Sequence, residues 1–230
     1  MAEVFPKAPL IETVFEIRFP ANLRIEENKT AFFSKVEGQF PNIFLPNYLA
    51  TTEPYLGTLP FKFSSVEGDK AIQLSVHRFS FHSYIYRGFD IFSIEALKYT
   101  SLFCEVYNIS KLQRTGLRYI NHIPFLPEKE CVPIQRFLNA KYLFPKSIGE
   151  SFSLIQNTFV AKLGEGKLRM MIQNQTLEDG KPVLVLDFDY TFEGNLNRDR
   201  VKEYLNNSHR HTKQVFLDLI TDEYKKIMRG

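Results

Sequence analysis

Apolar and polar residues alternate from 10 to 19, with Ile11, Thr13, Phe15, Ile17 and Phe19 set against Glu12, Val14, Glu16 and Arg18. A period of two is the mark of a half-buried strand, and Pro20 ends it. Between 26 and 40 the spacing changes: Phe32, Phe33, Val36 and Phe40 recur at helical intervals, predicting a short amphipathic helix closed by Pro41. Residues 41 to 58 carry three prolines and a glycine with no period, and are expected to form a surface loop. Alternation resumes at 61–66 and 71–76 around Glu67-Gly68-Asp69, a hairpin signature, and again at 78–86. A helix is predicted over 91–107.

Next comes the stretch on which the two halves of the chain hinge, residues 114 to 125 (RTGLRYINHIPF). Leu117, Tyr119, Asn121 and Ile123 share one face and Arg118, Ile120 and His122 the other. Both faces mix apolar and polar groups, as expected of a strand with partners on either side. Residues 124–150 hold four prolines, with one helical turn expected near 134–138. Three more strands, at 151–163, 167–175 and 182–192, are separated by Gly164-Glu165-Gly166 and Glu178-Asp179-Gly180, which is turn chemistry. Asn197 then caps one long helix predicted over 198–228, with Val201, Leu205, Ser208, Thr212, Val215 and Leu219 along its buried stripe.

Strands that cluster in groups between helices predict an α+β fold: a mostly antiparallel sheet of about seven strands, helices packed on one side, and a long C-terminal helix. The chain reads either as a single unit over 1–230 or as subdomains 1–123 and 151–230 joined by the proline-rich 124–150. Its 230 residues suffice for a substantial core. The 22 Phe and 11 Tyr, without a Trp, indicate that much of that core is ring on ring.

Net charge is +3, too little to imply nucleic acid or an anionic membrane. No apolar run approaches the ~18 residues of a membrane span. The N-terminal residues lack a basic segment followed by an apolar run, and Cys104 and Cys131 do not read as a disulfide pair, so a cytoplasmic protein is expected.

Segments 8–19, 114–121 and 186–190, together with His209, Phe216 and Ile220-Thr221, occur in an order that resembles a family of uncharacterised, sporadically distributed bacterial and archaeal proteins of about this length. The resemblance carries no catalytic residues. It implies a cytosolic protein from a mobile part of a prokaryotic genome, and by analogy an accessory of a defence or toxin–antitoxin system.

Candidate chemistry is sparse. Asp187 and Asp189 are two apart on a strand, with side chains about 7 Å apart on one face, and could hold Mg²⁺ or share a proton. The plainer reading places them on the exposed face of an edge strand. Arg114 and Arg118 could clamp an anion. The plainer reading pairs a semi-buried Arg118 with Glu12 or Glu16 of the first strand. Tyr84, Tyr86 and Phe89 could form a partner surface, or belong to the core. His209 and His211, two apart on a helix, diverge by about 200° and cannot share a metal. No Gly-x-Ser-x-Gly elbow or phosphate loop is present, and no metal site or cofactor is predicted.

The expectation is therefore a non-enzymatic binding protein with a protein partner or self-association. The alternative is a Mg²⁺-dependent enzyme acting on a phosphate-bearing or nucleotide-like substrate through Asp187, Asp189 and the two arginines. A third reading is a carrier of a small apolar ligand.

Overall fold

The computed structural model describes residues 5–44, 61–139 and 152–230. Among these the chain forms an α+β structure with one nine-stranded sheet and six α-helices. The strands are β1 (Leu10–Arg18), β2 (Asn42–Phe44), β3 (Phe61–Ser64), β4 (Lys70–Ser75), β5 (Arg78–Ser83), β6 (Lys111–Pro124), β7 (Gln156–Leu163), β8 (Gly166–Thr176) and β9 (Pro182–Asn197). The helices are α1 (Arg24–Glu27), α2 (Lys29–Val36), α3 (Phe89–Val106), α4 (Ile134–Phe137), α5 (Val201–Leu219) and α6 (Asp222–Arg229). Strand order is β2-β3-β4-β5-β1-β6-β9-β8-β7, and the pairs β2–β3, β3–β4, β4–β5, β1–β5 and β7–β8 run antiparallel.

The chain divides into two compact units, and they interleave along the sequence. One comprises residues 12–117 and 191–207; the other comprises 1–11, 118–190 and 208–230. The subdomains expected from the sequence, 1–123 and 151–230, are contiguous stretches. The units instead divide β1, β6 and β9 partway along their lengths.

In the unit built from 12–117 and 191–207, strand register lines up the aromatic core. Phe63, Ile72, Phe81 and Phe15 lie opposite one another across β3, β4, β5 and β1; Phe61, Leu74, Phe79 and Ile17 form the next row. Phe32 of α2 and Phe103 of α3 close on Phe79, with ring centroids 5.9 and 4.6 Å away. Phe92 and Tyr99 of α3 cover Phe81 at 5.7 and 5.5 Å. These edge-on and offset contacts are the preferred geometries of aromatic pairs.

The helix expected over 26–40 is broken in two. At the break, Asn28 has φ −129° and ψ 53°, its carbonyl accepts a hydrogen bond from the Tyr107 hydroxyl at 3.0 Å, and its side chain accepts one from Thr30. Asn readily leaves helical geometry in this way. The strand β2 was expected to be loop. It is three residues long and wholly exposed, so it has no alternation to betray it.

In the other unit, β7 and β8 form a hairpin through Gly164 and Glu165, with Gly164 in the left-handed region at φ 61°. Gly166 is required by close approach: a Cβ there would stand 2.4 Å from the buried ring of Tyr190. The single C-terminal helix expected from the pattern ends instead at Leu219, and α6 begins at Asp222. Asn139 captures the end of α5, its N–H donating to the Leu219 carbonyl at 2.7 Å and its side chain to those of Asp218 and Ile220. Thr221 caps α6 by accepting from the Tyr224 N–H, while its hydroxyl donates to the Arg136 carbonyl. The break is made by a segment some 80 residues away in sequence, which no local pattern encodes.

Candidate functional site

Asp187 and Arg118 meet in the unit that holds 118–190. Arg118 Nε and Nη2 donate to the two carboxylate oxygens of Asp187, each at 2.8 Å, in a two-pronged fork. Arg169 of β8 stands 3.9 Å from the same carboxylate. The Asp187 side chain is 1% exposed, against 44% for Arg118 and 45% for Arg169. One sequence expectation is corrected here. Asp187 is not on an exposed edge, because β9 lies between β6 and β8 and is buried on both faces. Arg118 takes a carboxylate from β9, a partner that the sequence pattern did not indicate. Asp189, on the same face of β9, is half-buried. With both Asp187 oxygens engaged by guanidinium groups, this face presents cations outward over a buried anion. Among the described residues no cluster of three or more His, Cys, Asp or Glu is placed to hold a metal ion.

Glu16 serves Arg114 in the unit that holds 12–117. Arg114 Nη1 donates to Glu16 Oε1, Arg18 Nε donates to the same oxygen at 2.7 Å, and Arg78 is 3.8 Å from Oε2. Both Arg114 and Glu16 are about 15% exposed, at 14% and 15%. Gly116 leaves room for this arginine: a Cβ there would lie 3.2 Å from the guanidinium. Glu12 hydrogen-bonds His82 Nδ1 at 2.8 Å, and His82 Nε2 lies 2.9 Å from Ser80 Oγ. That is the order of a serine–histidine–acid relay, and no elbow motif marks it in the sequence. Ser80 is only 2% exposed on a strand flanked by β4 and β1, so its hydroxyl is closed to a substrate carbonyl. The chain of bonds satisfies polar groups that would otherwise be buried without partners.

The histidines of α5 diverge as helical geometry requires. His209 Nδ1 hydrogen-bonds the Tyr119 hydroxyl at 2.8 Å, and His211 stacks on Tyr190 with centroids 5.3 Å apart. Burial, helped by Arg210, lowers the pKa of His211; burial alone lowers that of His122. Cys104 is buried in α3, and its thiol is pushed up to about 11.

Of the expected partner surface, Tyr84, Tyr86 and Phe89 are all half-buried. Tyr84 stacks on His82, and burial followed by the charge of Glu12 raises its hydroxyl pKa. More exposed apolar surface lies elsewhere. β7 ends the strand order; Phe159 is 38% and Val160 62% exposed on it. Of the strand expected over 151–163, β7 covers Gln156–Leu163, residue 151 lies outside the described residues, and its place at the sheet's edge is not encoded in alternation.

No described helix is long and apolar enough to cross a membrane. Neither models of known families nor characterised proteins match the chain.

Proposed function

We propose that this chain is a non-enzymatic cytosolic binding protein that associates with a second copy of itself through the β7 edge. The observation that carries the reading is the edge itself: eight residues, no proline, all exposed or half-exposed, with Phe159 and Val160 at the centre. Among the described residues β7 has one strand neighbour, β8. A strand of this kind offers a row of backbone donors and acceptors to another strand, and proteins usually blunt such edges.

Antiparallel pairing of two β7 strands about Val160 sets Phe159 against Ala161 and Thr158 against Lys162. No like charges then face each other, which cross-strand pairing requires. The fork of Arg118 on Asp187 supports a binding role over metal-dependent chemistry, because guanidinium groups occupy both oxygens a cation would need. The resemblance to sporadically distributed prokaryotic proteins fits an accessory that works through assembly.

Sedimentation at tens of micromolar tests the reading. The expected result is a dimer that Val160→Arg converts to a folded monomer, judged by an unchanged circular dichroism spectrum. A monomeric parent chain, or a dimer indifferent to Val160→Arg, overturns it.

A further inference from the structure

We propose that a cavity between α3 and the start of α5 binds a small phosphorylated organic molecule. The cavity has a volume of about 340 Å³ and lies wholly within the unit of residues 12–117 and 191–207. This is at the lower end of the range for small-molecule sites, roughly 300 to 1,000 Å³.

Its wall is of two kinds. Leu97 and Val201 supply apolar surface, beside the un-ionised thiol of Cys104. Arg198 and Lys202 supply charge. They are four residues apart where a 3-10 turn (Arg198–Arg200) runs into α5, a spacing that sets side chains along one side of a helix. Arg198 is steadied by the Ile109 carbonyl at 3.5 Å and Glu105 at 3.9 Å. Lys202 makes no ion pair with any described residue.

Charge selects the ligand class. Asp199 also lines the cavity, so the wall carries a surplus of one positive charge, and the first turn of α5 adds about half a charge more. A phosphate monoester, with roughly −1.5 to −2 at neutral pH, matches that sum better than a carboxylate does. The apolar part of the wall calls for an organic group on the phosphate. The exposed hydroxyl of Ser101 stands at the rim, where it can donate to an oxygen of the ligand.

Isothermal titration of the full chain with phenyl phosphate and with inorganic phosphate decides the matter. Phenyl phosphate is expected to bind saturably and more tightly than inorganic phosphate. Lys202→Ala is expected to weaken it about tenfold, the loss of one charge-assisted hydrogen bond. Ser101→Trp, at an exposed position of the rim, is expected to block the cavity and abolish binding without changing thermal unfolding. The chain has no tryptophan of its own, so this ring would also report on its surroundings by fluorescence. Absence of saturable binding to the parent chain overturns the site. Binding that survives both substitutions overturns its location, and equal affinity for the two probes overturns the organic part of the assignment.

Discussion

Arg114 and Arg118 stand four residues apart on β6, and each binds a carboxylate of a neighbouring strand, Glu16 of β1 and Asp187 of β9. They differ in which partner is buried. Glu16 and Arg114 are equally withdrawn from water, at 15% and 14% exposure, and Glu16 also holds Arg18 and Arg78. In the other pair only Asp187 is withdrawn, at 1%, while Arg118 is 44% exposed. The lesson is that an ion pair has no single worth. What matters is which charge is stranded when its partner goes.

Breaking the first pair should cost most. Glu16→Ala leaves Arg114 buried with its main anion gone and sets three guanidinium groups against one another. A loss of about 3–5 kcal/mol by denaturant unfolding is expected. A loss below about 1 kcal/mol would mean Arg114 finds water, and the contrast between the pairs would vanish.

The second pair should be lopsided. Arg118→Ala strands a buried carboxylate with Arg169 3.9 Å away and should cost about 2–3 kcal/mol. Asp187→Ala releases an arginine already near solvent and should cost about 1 kcal/mol. Replacing both partners by Met and Leu should restore much of the Arg118→Ala loss. Equal losses from the two single substitutions would refute the asymmetry.

The smallest effect belongs to a third position on β6. Burial holds the pKa of His122 below its usual 6.5, so near and below that value the unfolded chain binds a proton the native chain does not. Stability should therefore fall as pH drops through the mid-6 range and below, down to the lowered folded value. His122→Asn should flatten that slope in unfolding measured across pH. His211, also lowered by burial, should leave a residual slope of the same sign. A slope unaltered by His122→Asn would place the proton uptake elsewhere.

Much of the sheet was legible as alternation, because a strand with one buried face writes its period into the sequence. The strands β1, β3 to β5, β6, β8 and β9 were found this way, as was the hairpin around Gly68. The partners of the charges were not legible. Even spacing along β6 puts Arg114 and Arg118 on the same face, and nothing local says that Arg114 meets Glu16 and Arg118 meets Asp187. Register and strand order settle it, and both are long-range properties. The same gap hid the exposed edge at β7, the capture of α5 by Asn139, and the bond of Glu12 to His82. Helix ends made by distant residues leave no cap in the sequence they terminate.

The division of β1, β6 and β9 between two units bears on how this protein can be inherited. One unit is assembled from two pieces of the chain and the other from three. A single recombination event cannot lift either one out whole, nor graft it onto another gene. Whatever each unit contributes, the pair must be passed on as one message, and variation reaches it by substitution instead of by exchange of parts.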